Sequence, residues 1–88
     1  MTTQEKRREA RRAASGNVHV KFTDPEPLEF DGELIDVSTS GFRMTHECTA
    51  LQSGQVVEFA HVEASGRARV MWNRILAGGV ETGFLVFT

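Results

Sequence analysis

Apolar and polar residues alternate along most of the chain with a period of two, which marks strands with one buried face. Val18-His19-Val20-Lys21-Phe22 is the clearest case. Asp24-Pro25-Glu26-Pro27 follows, and because proline cannot donate to a sheet ladder this stretch is a loop. Leu28 to Val37 is the next strand, interrupted by Asp31-Gly32. An Asp-Gly pair signals a hairpin, but a hairpin here would leave two very short strands; one strand with a bulge at the glycine is the better solution. Phe42 to Thr45 comes after a small polar turn. Gln55 to Val62 and Arg67 to Trp72 flank Glu63-Ala64-Ser65-Gly66, which has the composition of a hairpin turn. Ala77-Gly78-Gly79 then turns the chain into Val80 to Phe87. Trp72, Phe84 and Phe87 are assigned to the core, as bulky aromatics in strands. Six or so short strands with glycine-bearing turns and almost no amphipathic helix predict an all-β fold, a small antiparallel barrel.

Residues 2–14, TTQEKRREARRAA, break the pattern. They are rich in helix formers, and Thr2 with Glu5 fits a capping box. No face of the segment is apolar, so a helix here would bury nothing and would be marginal alone. The expectation is a flexible basic arm over residues 1–17, hinged at Ser15-Gly16-Asn17, and a barrel over residues 18–88.

Charge sharpens this division. Residues 1–17 hold five basic side chains against two acidic ones, a net +3, whereas the remaining 71 hold five basic and ten acidic, a net −5. A basic arm on an acidic body points to an anionic ligand, against the bland alternative of a solubilising tail. A chain of 88 residues makes one small domain. Its single cysteine, Cys48, excludes an intramolecular disulfide framework and points to a reducing compartment. No apolar run approaches the roughly 20 residues of a membrane helix. The charged N-terminus is not a secretory signal. A cytoplasmic protein with no membrane role is expected.

Three kinds of chemistry are open to the polar residues. For metal binding, His19, His46, Cys48 and His61 are the candidates; His46 and Cys48 share one side of a strand, but no second pair has suitable spacing, so structural or surface roles are expected and no metal. For catalysis, Ser38 or Ser40 would need a positioned base, and there is neither a nucleophile elbow nor a paired set of acids, so no enzyme is expected. For anion or nucleotide binding, two parts fit together. The arm carries Arg7-Arg8-Glu9-Ala10-Arg11-Arg12. Guanidinium groups bind phosphate bidentately, stack on bases and match the O6/N7 edge of guanine. The turn Asp36-Val37-Ser38-Thr39-Ser40-Gly41 offers a carboxylate for the N1–H and N2–H donors of guanine, two hydroxyls, and a glycine that lets the backbone come close to a ligand.

Those two segments resemble the signature of PilZ domains: R-R-x-x-x-R, then some two dozen residues later [D/N]-x-S-x-x-G. Phe42-Arg43-Met44 continues the likeness, and Ala68 to Trp72 and Gly83 to Phe87 are similar to the family's last two strands, so it covers nearly the whole chain. Either motif alone would be weak; both, in order and at this spacing in an all-β chain, are specific. The resemblance implies a six-stranded antiparallel barrel that binds the bacterial second messenger cyclic di-GMP, commonly as an intercalated dimer and sometimes as a monomer. It assigns ligand contacts to Arg7, Arg8, Arg12, Asp36 and Ser38, and the shape of the turn to Gly41, with Arg11 and Ser40 as further candidates. R-x-x-x-R fits both Arg8 with Arg12 and Arg7 with Arg11; the first is preferred because Arg7-Arg8 then matches the family's leading pair. Many members continue into a helix that covers one barrel mouth. Here the sequence stops at Thr88, so that mouth is expected to be open, or closed by a partner or a second copy.

The implied mechanism is a ligand-driven ordering of the arm, whose arginines repel one another until a dianion supplies counter-charge. The ordered arm would present a new surface to a downstream protein. Ordering costs free energy, so affinity is expected to be about micromolar or somewhat tighter, roughly −8 kcal/mol or a little more. Two rivals are weighed beside it. A PilZ-like protein adaptor that binds no nucleotide would usually lack the arginines or the aspartate. A small barrel binding RNA or single-stranded DNA would usually show a basic or aromatic sheet face, and this body is acidic and has no tyrosine.

Overall fold

A computed structural model describes residues 10–87 of the chain. The described residues form seven strands: β1 (Arg12–Ala13), β2 (Asn17–Phe22), β3 (Leu28–Val37), β4 (Gly41–His46), β5 (Val56–His61), β6 (Ala64–Leu76) and β7 (Gly79–Val86). The order is β1-β3-β2-β5-β6-β7-β4, and β3 also pairs with β4, which closes a six-stranded antiparallel barrel with β1 as an extra strand. Closure leaves the ring no unpaired edge.

Inward residues of every ring strand meet in one core. Val18 and Val20 of β2, Phe42 and Met44 of β4, and Val57, Val70 and Phe84 are buried. Phe42 stacks on Phe84 with ring centroids 4.6 Å apart and tilts against Phe59 at 4.8 Å. Leu51, in the connection between β4 and β5, adds to this cluster. Fully burying a side chain of this kind is worth about 1.5–3 kcal/mol, so the cluster is the main source of stability.

Several boundaries and placements differ from the sequence expectation. The β5–β6 turn is Val62-Glu63, and Ala64 to Gly66 already belong to β6. Gly32 pairs regularly with Val18 and is not a bulge. Its need is space: a Cβ there would collide with the Thr45 carbonyl and with Met44. The irregularity of β3 lies between Leu34 and Asp36, in its pairing with β4. A second one lies in β6 between Val70 and Trp72. Phe84 is in the core, but Trp72 and Phe87 are only half-buried. In β6 the reason is the second bulge. Ala68 and Val70 point inward, strict alternation would send Trp72 inward too, and the extra residue Met71 reverses the phase.

Candidate functional site

The two bulges build the site. The extra residue Ile35 turns Asp36 away from the core and sets it opposite Arg43 of β4. Arg43 pairs with Gly83 of β7, and Gly83 pairs with Trp72 of β6. Asp36, Arg43, Gly83 and Trp72 therefore form one row across four strands, on the outside of the barrel. The missing side chain at Gly83 is what this row requires, because a Cβ would collide with the Trp72 indole lying over it.

The end of the N-terminal segment reaches the same row. β1 and β2 both run antiparallel to β3 and act as one interrupted strand, with Ala14 N–H donating to Ile35 O at 3.0 Å and Leu34 N–H to Gly16 O at 2.8 Å. Ala13 lies opposite Asp36 and Arg12 opposite Val37, so Arg11 arrives beside Ser38. Its Nε–H donates to Asp36 Oδ1 at 3.2 Å and its Nη1 to Ser38 Oγ at 3.3 Å. Arg12 instead grips Glu63, at 2.5 and 3.0 Å.

Asp36 is held more firmly by Arg43 than by Arg11. Arg43 Nε–H lies 3.1 and 3.0 Å from the two carboxylate oxygens, and Nη2 donates to Oδ2 as well. Arg43 Nη1 donates to Glu81 Oε2 at 3.1 Å, and Glu81 also lies 3.7 Å from Arg74. Arg74 in turn sits over the Trp72 ring, 5.6 Å from its centroid. The Asp36 side chain is only 9% exposed, a position in which a carboxylate needs compensation. The Arg43 hydrogen bond, then the positive charge of Arg11, hold its carboxyl below the usual range, although burial pulls the other way. The same hydrogen bond raises Arg43. Asp36 is ionised at neutral pH.

The turn between β3 and β4 is closed by Ser38 N–H donating to Gly41 O at 2.9 Å. Ser40 O accepts from Val86 N–H at 2.8 Å, which ties the turn to β7. Gly41 is needed because a Cβ would run into the Phe84 carbonyl, not because of an unusual φ. Between turn, arm and β6–β7 lies a groove of about 530 Å³, lined by Arg11, Ser38, Ser40, Gly41, Arg43, Met71, Trp72, Gly83, Phe84 and Leu85. That is within the size range of small-molecule sites. Its charged lining is cationic and its indole offers a flat apolar face, which together suit a phosphate-bearing aromatic ligand.

No family model and no curated protein matches the sequence. Among solved structures, the inhibitor of motility MotI/DgrA of Bacillus subtilis superposes with a TM-score of 0.69 at 13% identity. The two share a fold. The match covers 92% of this chain and 42% of that one, so the chain spans less than half the length of its structural neighbour.

Of the residues singled out from sequence, Arg11, Ser38, Ser40 and Gly41 line the groove, and Asp36 sits behind Arg11 and Arg43, bound to both but outside the lining itself. Arg12 does not line it, and Arg7 and Arg8 lie outside the described residues. Arg43, Trp72 and Glu81 were missed. Alternation did carry a signal for Arg43, since inward Phe42 and Met44 leave it outward beside the turn. Trp72 was hidden by a bulge that no local pattern announces. The histidines are elsewhere. Buried His46 accepts from Cys48 N–H on Nδ1 at 3.0 Å, so its Nε2–H donates to Thr82 Oγ1 at 2.7 Å. His19 lies between Asp31 and Glu29 on the outer surface, at 2.9 and 2.8 Å. Among the described residues no group of His, Cys, Asp and Glu is placed to hold a metal ion, and no helix is long and apolar enough to cross a membrane.

Proposed function

We infer that the protein is a PilZ-type receptor for cyclic di-GMP. The observation that carries this is the meeting of Arg11 with Asp36 and Ser38, 25 and 27 residues away, at the edge of a cationic groove lined by a half-buried indole. Those are one residue of the R-x-x-x-R segment and two of D-x-S-x-x-G, the two motifs read from sequence, now within hydrogen-bonding distance. The register Arg7 with Arg11 fits this geometry better than Arg8 with Arg12, since Glu63 holds Arg12. Asp36 accepts from a guanine edge, Arg11 and Ser38 bond phosphate or base, Trp72 stacks a base, and Gly41 shapes the turn. Arg7 and Arg8 supply further cations from the arm. The ligand enters as a monomer or an intercalated dimer, and the ordered arm presents a surface to a downstream protein, without chemistry on the ligand. The barrel shared with a bacterial inhibitor of motility is in keeping with a regulator that works through a partner.

A second reading, a protein adaptor that binds no nucleotide, is favoured by one observation: the Asp36 carboxylate is already occupied by two guanidinium groups. Calorimetric titration of cyclic di-GMP into the purified protein, with GTP as control, separates the two. Saturable heat with cyclic di-GMP alone supports the receptor, and its stoichiometry distinguishes ligand monomer from dimer. No heat and no thermal shift at millimolar ligand leaves the adaptor.

A further inference from the structure

We propose that Arg43 is a built-in competitor for the ligand's guanine, so that its exchange from Asp36 to Glu81 sets the affinity of the site. This rests on the receptor reading above and adds a residue that neither sequence motif contains.

The case starts from the shape of the donors. A guanidinium presents Nε–H and Nη–H side by side to a carboxylate, and guanine presents N1–H and N2–H in the same parallel arrangement. Arg43 spans both oxygens of Asp36 with its Nε and Nη2 hydrogens, the contact the base would make. Both cannot have it. Arg11 is different: it touches only Oδ1, through one donor, and reaches Ser38 with another. When guanine displaces Arg43, Arg11 can stay as counter-charge, so the buried carboxylate is never left without a cation.

Arg43 also has somewhere to go. Its Nη1 already donates to Glu81 Oε2 at 3.1 Å, and the Glu81 side chain is 13% exposed, sheltered enough to be a strong partner. The other claim on Glu81, Arg74 at 3.7 Å, is looser and more exposed. A short swing of the Arg43 head thus trades a bidentate grip on Asp36 for a fuller one on Glu81. Asp36 and Glu81 are the two poles of one exchange. The cost of breaking the Arg43–Asp36 contact is subtracted from ligand binding, as for any site whose competent form is a minority.

Two variants, with cyclic di-GMP as the probe, move in opposite directions. Arg43→Met removes the competitor and keeps most of the side-chain volume; affinity is expected to rise at least threefold although the groove loses a positive charge. Glu81→Gln removes the alternative pole and holds Arg43 on Asp36; affinity is expected to fall at least threefold. Thermal melts check that both fold, and Glu81→Gln leaves every contact to Asp36 in place, so it tests the exchange even if Arg43→Met is unstable. If the wild type binds and Arg43→Met binds equally or more weakly, Arg43 is an ordinary phosphate contact and the proposal is overturned. An unchanged affinity in Glu81→Gln also overturns it. If neither the wild type nor Arg43→Met binds, the receptor reading falls and takes this inference with it.

Discussion

Strands β4, β7 and β6 carry two polar chains, one on each face. Inside the barrel, His46 donates to Thr82, Thr82 Oγ1–H donates to Asn73 Oδ1 at 2.6 Å, and Asn73 Nδ2 donates to Leu51 O at 3.1 Å. Outside, Arg43 bridges Asp36 and Glu81, and Arg74 approaches Glu81 from β6. The inner chain is neutral, its donors and acceptors follow one another in a single direction, and no buried side-chain nitrogen or oxygen among the described residues lacks a partner. The outer chain is ionic and its members have more than one partner to choose from. The difference follows from dielectric. Enclosed by apolar side chains, a polar network must be fully and uniquely satisfied, which fixes the strands. At the groove wall the guanidinium groups still reach water and each carboxylate has two of them within reach, so charges can exchange partners without a carboxylate being left unpaired, which suits a site that must change state.

The largest effect should come from the outer chain. Asp36→Ala is expected to weaken cyclic di-GMP binding at least tenfold in calorimetry, because guanine donors lose their acceptor. Arg11→Ala is expected to cost up to about tenfold and to flatten the salt dependence, since a charge-assisted contact is lost. The inner chain should fail in the opposite manner. Thr82→Val leaves the His46 Nε2–H and Asn73 Oδ1 without their partner; a loss of about 1–3 kcal/mol is expected in denaturant unfolding, with ligand affinity unchanged. Reduced affinity at full stability would instead join the two chains functionally.

The histidines give a smaller effect, with signs that differ by face. Burial holds folded His46 below the ordinary value of 6.5, so as pH falls through about 6.5 the unfolded chain takes up the proton first and stability declines. Burial acts in the same direction on His61. His19 is raised by hydrogen bonds to Asp31 and then Glu29, so its contribution is fully present below about 6.5 and fades as pH rises through its folded value. NMR titration of the imidazole protons should place His46 below 6.5 and His19 above it. The smallest effect belongs to Arg12. Its ion pair with Glu63 is exposed and screened by water, so Arg12→Ala should leave the unfolding midpoint almost unmoved and affinity within twofold. An Arg12→Ala loss equal to that of Arg11→Ala would restore the other motif register.

The strands and the turn were legible because period-two alternation and glycine or proline punctuation are local properties. Asp36, Ser38 and Gly41 could be picked out for the same reason, as a cluster of functional groups at one turn. What escaped was set by pairing between strands far apart in sequence. Nothing near Val70 announces that Met71 is an extra residue, yet that extra residue decides whether Trp72 enters the core or faces the groove. The arginines posed a similar problem. Four of them within six positions are chemically alike, and only the pairing of Ala13 with Asp36 distinguishes Arg11 from Arg12.

That pairing makes the short link Ala14-Ser15-Gly16 a ruler. It joins two stretches whose partners on β3 are fixed, and Gly16, at a φ of +124°, lets the link turn where a side chain would be strained. In a strand each step of one residue exchanges the two faces. Losing or gaining a single residue in the link would therefore present Arg12 to Asp36 and send Arg11 toward Glu63, with every arginine still in the chain. The distance between arm and barrel, counted in residues, is as much a part of the site as the side chains it delivers.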